Sequence, residues 1–151
     1  MNSKVSVVIP TYNRTDELKR AIRSVFDQNY RDFEIVVIDD SPSDNSKDIE
    51  REFRSDRIKY IRRGRREGVA SARNIGLKVS SGELVAFLDD DDEWLPTKLL
   101  QQLSALESSG DEVGVIHSNC FINNGLKTFL CNKENISDQS TRKLLEYNFV
   151  V

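Results

Sequence analysis

Four consecutive aspartates, Asp89-Asp90-Asp91-Asp92, are the residues most suggestive of chemistry in this sequence. Carboxylates held in one turn repel one another, and each unpaired charge raises its neighbours' pKa until a cation relieves it. Hard divalent cations favour carboxylate oxygens, and a site offering only one or two of them completes its shell with phosphate oxygens and water. An Asp-rich turn therefore suits a metal–diphosphate complex. Two other polar turns have a similar look, Thr11-Tyr12-Asn13 and Asp39-Asp40. The Asp39-Asp40 pair either caps a helix or forms an Asx turn, or it accepts hydrogen bonds from a base N–H or a ribose hydroxyl. Charge is also segregated. Residues 56–78 hold eight Lys/Arg and two acids, a local net of +6, while residues 79–112 hold nine acids and one Lys, a local net of −8. Such runs are ordinarily solvated surface. Here the basic one precedes an acidic turn that calls for a cation.

Each polar turn ends an apolar run. Val5-Ser6-Val7-Val8-Ile9 is β-branched and stopped by Pro10, so it reads as a buried strand. Leu18, Ala21, Ile22, Val25 and Phe26 then lie on one face of a helix that Asn13 or Thr15 would cap. Residues 33–38 form a second strand ending at Asp39-Asp40, and turn residues 41–46 lead to a short helix carrying Ile49 and Phe53. Residues 58–61 read as a third strand, and 69–79 as a small-residue helix broken by Ser81-Gly82. Residues 84–88 are a fourth strand running into the aspartates. Pro96 opens a helix with Leu99, Leu100, Leu103 and Leu106 inward. Residues 113–119 read as a strand, 121–122 and 128–130 as a hairpin about Asn123-Asn124-Gly125, and 141–147 as a last helix. Alternating strands and helices predict an α/β fold, a mostly parallel central sheet with helices on both faces. Right-handed crossovers bring the ends of its strands to one edge, where ligands of open α/β sheets bind.

Composition narrows the class. The 151 residues suggest one domain, and Leu, Ile, Val and Phe make up 44 of them, enough for a core. The net charge of −3 argues against a nucleic-acid partner. No apolar run reaches the roughly 18 residues of a membrane span, and no secretory leader is apparent, so a cytoplasmic protein is expected. Cys120 and Cys131 have no metal-ligand spacing. G-x-G-x-x-G and the P-loop pattern are absent, and an EF-hand loop would need alternating ligands and a glycine.

Beyond these individual signals, residues 4 to about 105 resemble the inverting family-2 glycosyltransferases of GT-A (Rossmann-like) fold. The resemblance rests on five segments in order: residues 5–14, Ala21 to Val25 with Gln28, residues 32–41, Gly68 to Gly76 with Gly82-Glu83, and Phe87 to Pro96 with Lys98-Leu99. It implies transfer of a sugar from a nucleotide-diphosphate donor, UDP rather than GDP or dTDP, to an acceptor hydroxyl with inversion. Pro10, Thr11, Tyr12 and Arg14 would hold base and ribose, with Tyr12 a stacking surface. Asp40, with Asp39, would bind base or ribose. Asp89, Asp90 and Asp91 occupy the place of the family's DxD motif; Asp91, with Asp89, would bind Mg²⁺ or Mn²⁺, and Asp89 and Asp90 would lie near the ribose. Arg73 and Asn74 either line the pocket floor or bond neighbouring loops, and Arg62, Arg63, Arg65 and Arg66 form a mobile basic loop. The acceptor would be a saccharide, lipid-linked or protein hydroxyl, which also allows work at the cytoplasmic face of a membrane.

The catalytic base belongs to a region beyond this match. Glu134, Asp138 and Glu146 read as surface acids and His117 as structural, so a single donor-binding domain over 1–151, cut before its acceptor region, is expected. A non-catalytic nucleotide-binding module is the alternative.

Overall fold

The computed structural model describes residues 4–109, 113–123 and 128–131. The helix expected over 141–147, the acids Glu134, Asp138 and Glu146, and the turn residues Asn124 and Gly125 lie outside them. The chain groups into two compact units, Met1–Gln101 and Gln102–Val151.

In the first unit the strands are β1 (Val5–Thr11), β2 (Phe33–Asp39), β3 (Ile58–Arg62) and β4 (Leu84–Phe87). They form one parallel sheet in the order β3-β2-β1-β4. Its helices are α1 (Thr15–Phe26), α2 (Ser46–Phe53) and α3 (Val69–Val79); α4 (Lys98–Ser108) begins in this unit and ends in the second. The chain moves outward from β1 to β3, then returns to add β4 on the other side of β1. That reversal puts a crevice beyond the carboxyl ends of β1 and β4.

All seven residues of β1 are buried, the polar Ser6 and Thr11 included, as befits a strand in the middle of a doubly covered sheet. On one face Val8, Val36 and Ile38 pack on Ala72 of α3, with Ile75 and Val79 beside them. Gly76 makes this approach possible, because a Cβ there would lie 2.3 Å from Val8 Cγ1. Alternation sends Val7, Ile9, Ile35 and Val37 to the other face, also buried. Leu18, Ala21, Ile22 and Val25 of α1 are buried, and Phe26 stacks on Phe53 of α2 at 5.6 Å.

Three expectations need correcting. Neither Asn13 nor Thr15 caps α1. Arg14 is the N-cap residue, and Asn13 is left-handed at φ 55° with its N–H donating to Ser41 Oγ at 2.8 Å. Leu100 is 49% exposed while Leu99 is 3%, since Leu99, Leu103 and Leu106 share a stripe from which Leu100 is rotated about 100°. Residues 113–119 form no strand; instead β5 (Cys120–Asn123) pairs antiparallel with β6 (Thr128–Cys131) in the second unit. A β-prone run becomes a strand only where a neighbour supplies a ladder, and no described residue does so for 113–119.

Candidate nucleotide site at the strand ends

The register fixes which turns meet. Thr11 stands opposite Asp39, and Asp39 opposite Arg62. The Asp40 N–H donates to Thr11 O at 3.1 Å and the Leu88 N–H to Val8 O at 3.1 Å, so the polar turns leave the sheet side by side. Acids about 50 residues apart in sequence come together as expected.

The first cluster surrounds the acidic turn. Thr11 Oγ1 donates to Asp90 Oδ2 at 2.7 Å. Arg14 Nη1 lies 3.2 Å from Asp90 Oδ1 and 2.6 Å from Asp91 Oδ2, bridging the two carboxylates. Arg73 Nη2 donates to Asp89 Oδ1 at 2.6 Å. Burial pushes the Asp90 carboxyl up from its ordinary value, against hydrogen bonds from Thr11 and Arg14 that favour the charged form. Asp92 is raised by burial and then by the charges of Asp91, Asp89 and Asp90. The guanidinium of Arg14 is in turn raised by the charges of Asp90 and Asp91. Two arginines thus offset part of the charge of this turn, Arg14 on Asp90 and Asp91 and Arg73 on Asp89.

The second cluster surrounds Asp40. Arg63 grips it bidentately, Nε to Oδ1 at 2.5 Å and Nη2 to Oδ2 at 2.6 Å, and the Glu67 N–H adds a bond to Oδ2 at 3.0 Å. Asp39 faces inward and is fully buried; it accepts from the Ser41 N–H at 2.7 Å and from the Tyr60 hydroxyl at 2.5 Å. Burial, followed by this bond and the Asp39 charge, raises the Tyr60 hydroxyl far above its ordinary value. Asp39 therefore braces the end of β2, while Asp40 sits where β2 meets the basic turn.

Tyr12 lies beneath the guanidinium of Arg66, 4.8 Å from its ring centroid. Each arginine of the basic loop has a partner in this structure. Arg62 bonds Pro42 O, Arg63 holds Asp40, Arg65 pairs with Glu67 and Arg66 covers Tyr12. Gly64, at φ 68°, turns the chain just past β3 so that these arginines fold back over the end of β2. Pro10 is buried in β1. Asn74 is exposed on α3, and no hydrogen bond among the described residues joins it to the acidic turn.

Two further groups matter. Arg73 Nε is buried without a partner among the described residues, a donor left over at the edge of the acidic turn. Gln28, fully buried, donates through Nε2 to Leu95 O at 2.8 Å and accepts through Oε1 from the Leu99 N–H at 3.0 Å. Together with Ser24, whose Oγ accepts from the Trp94 N–H at 3.0 Å, it pins the segment that follows the aspartates to α1.

Among the described residues no three His, Cys, Asp or Glu side chains converge as a metal site. The donor set fits instead a hard cation that takes one or two carboxylates and fills its shell from phosphate and water. Asp91, 54% exposed, and Asp89, 42% exposed, are accessible, as is Asp92, while Asp90 is buried.

The carboxylates, arginines and aromatic ring gather at the switch point of a doubly wound α/β sheet, the place where ligands of such sheets bind. The chain matches the description Glycosyl transferase family 2 over residues 6–146 and belongs to that family. An Escherichia coli relative, the UDP-Glc:alpha-D-GlcNAc-diphosphoundecaprenol beta-1,3-glucosyltransferase WfaP, is 36% identical over 118 residues, covering 78% of this chain and 46% of its own length. The sheet and its helices match solved glycosyltransferases of GT-A fold. Residues 1–349 of S. aureus TarS in complex with UDP superpose with TM-score 0.62 at 29% identity, over 70% of this chain and 32% of that one. A mannosyltransferase from Pyrobaculum calidifontis in complex with GDP-Man and Mn²⁺ gives TM-score 0.57 at 26% identity, over 65% and 30% of the two chains. This chain thus spans under half the length of these proteins. Among the described residues no helix is long and apolar enough to cross a membrane.

Proposed function

We propose that this chain binds the donor of an inverting, metal-assisted glycosyltransferase, a UDP-sugar, and that the acceptor is a hydroxyl of a lipid-linked saccharide at the cytoplasmic face of a membrane. The observation that carries the reading is the convergence of Tyr12, Asp40 and the Asp89–Asp91 turn at one end of a parallel sheet. The UDP complex of TarS and the UDP-Glc and diphosphoundecaprenol in the name of the E. coli relative support the donor and acceptor classes.

In this reading the base takes the place of the Arg66 guanidinium on the Tyr12 ring, and Asp40, giving up part of its hold on Arg63, accepts from a base N–H or ribose hydroxyl, with Thr11 and Pro10 shaping the turn beneath. Asp91, with Asp89, holds Mg²⁺ or Mn²⁺. When bound, such an ion neutralises charge building on the departing nucleoside diphosphate. Arg73, through its Nη2 bond to Asp89 Oδ1, keeps that carboxylate oriented at the rim of the acidic turn. The acceptor oxygen forms its bond to the anomeric carbon opposite the diphosphate, the carbon–phosphate-oxygen bond breaks, and a carboxylate base within about 2.6–3.2 Å takes the hydroxyl proton. No residue described here is assigned as that base.

Calorimetry with UDP and GDP, with and without Mn²⁺, tests the donor site. UDP is expected to bind with Mn²⁺ and only weakly without it, GDP is expected to bind more weakly than UDP, and Asp91→Ala should weaken the Mn²⁺-dependent binding. Failure of the folded chain to bind UDP, or equal binding by Asp91→Ala, would refute the reading.

A further inference from the structure

We infer that Arg14 is a positioning residue with two stations: it occupies the carboxylates of Asp90 and Asp91 in the ligand-free chain, and it passes to the donor's diphosphate when a metal–nucleotide complex enters. The inference rests on the donor-site reading above and concerns a role within it. Its Nη1 lies 2.6 Å from Asp91 Oδ2 and 3.2 Å from Asp90 Oδ1. A divalent ion on Asp91 would sit within a few ångströms of this guanidinium, so the two cations repel each other and compete for the Asp91 carboxylate.

Arg14 is built to be the one that leaves. Its side chain is 50% exposed, and so is that of Asp91 at 54%, so the bond between them breaks into water, while the longer contact to Asp90 at 3.2 Å is given up with it. Asp90 is different. It is 9% exposed and keeps the Thr11 hydroxyl at 2.7 Å, so it stays in place when Arg14 departs. The backbone supplies the direction. Left-handed Asn13 at φ 55° and the non-helical N-cap conformation of Arg14 itself, φ −135° and ψ 56°, aim the side chain at the acidic turn instead of along α1. A guanidinium freed here finds the diphosphate within the same crevice, and its planar fork suits phosphate oxygens as well as carboxylates. In the meantime it keeps two repelling carboxylates convergent.

Such a residue has opposite effects on its two ligands. Without nucleotide it competes with the metal; with nucleotide it assists. Mn²⁺ should therefore be titrated into the nucleotide-free chain, with the free ion followed by its electron paramagnetic resonance signal, for wild type, Arg14→Ala and Arg14→Gln. UDP affinity should then be measured calorimetrically at saturating Mn²⁺. Both variants are expected to bind Mn²⁺ alone about five-fold more tightly than wild type, which is about 1 kcal/mol at 1.4 kcal/mol per tenfold. Both are expected to bind UDP at least as much more weakly. Circular dichroism identifies a variant that fails to fold, in which case the other carries the comparison. Mn²⁺ binding no tighter than in wild type, including none measurable in any protein, overturns the inference, as does unchanged UDP affinity. The Mn²⁺ arm contains no nucleotide, so it decides the role of Arg14 separately from whether wild type binds UDP.

Discussion

Replacing Arg63 with alanine should destabilise this chain far more than removal of an arginine from a basic loop ordinarily would. The Arg63 side chain is 9% exposed and that of Asp40 5%, and the two share bonds of 2.5 and 2.6 Å. Arg63 Nη1 also donates to Glu67 Oε2 at 2.7 Å and to Ser71 Oγ at 2.8 Å. The truncation leaves the Asp40 carboxylate with the Glu67 N–H as its one remaining hydrogen bond among the described residues. Stranding one partner of a buried ion pair costs about 3–5 kcal/mol, against roughly 0–1 kcal/mol for an exposed pair. Urea unfolding at pH 7, followed by Trp94 fluorescence, measures the loss. Asp40→Asn and the double variant complete a thermodynamic cycle, and the double variant should lose less than the sum of the singles by about 1–3 kcal/mol. A loss below about 1 kcal/mol, or additive single effects, would show that the pair is solvated and that Arg63 does not organise the end of β2.

Gly76→Ala puts a Cβ into Val8 and should cost about 1–3 kcal/mol of stability, as overpacking of a helix against a sheet does. Part of the loss should return in a Val8→Ala background, measured by thermal unfolding. Glu34 lies at the opposite end of the sheet. Its burial opposes ionisation, but hydrogen bonds from the Ser6 hydroxyl, the Ser81 N–H and hydroxyl, and Lys4 outweigh that and lower its carboxyl from 4.5 to about 2. A depressed acid stabilises the fold above its unfolded pKa, and that contribution fades as the pH falls from about 4.5 toward 2. At 1.36 kcal/mol per unit it amounts to about 3 kcal/mol at neutral pH. Glu34→Gln should therefore be less stable than wild type in urea at pH 7 and nearly equal to it at pH 2; a gap independent of pH would contradict the assignment.

The strands nearest the site were readable because their runs are long and β-branched. Residues 5–9 and 33–38 have little choice but to be buried on both faces, and the switch to helical spacing at Leu18 marks the crossover. Parallel connections then oblige the turns that follow to meet, so the company of Asp40 and Asp90 followed from sequence. Their partners did not. Which guanidinium reaches which carboxylate depends on the backbone at Asn13 and Gly64, both at positive φ, and on the β2–β3 register that sets Arg62 opposite Asp39. The usable signal for Arg63 was its place just beyond β3, beside a strand ending in Asp39-Asp40. Gln28 and Ser24 gave no chemical hint, since a glutamine bonding backbone groups across 67 residues has no local pattern. Asp39 and Asp40 look equivalent in sequence, yet strand alternation turns the first inward to Tyr60 and leaves the second at the crevice.

The central claim is that one end of this sheet, between the turn after β1 and the aspartates after β4, receives a metal-bound uridine diphosphate. Paramagnetic broadening of amide resonances in the isotope-labelled chain locates the ion directly. With UDP present, substoichiometric Mn²⁺ should broaden the amides of residues 11–14 and 89–92 first and leave Gly82 and Glu34, at the far end of the strands, sharp. Broadening centred elsewhere, or no selective broadening with UDP present, would contradict the account.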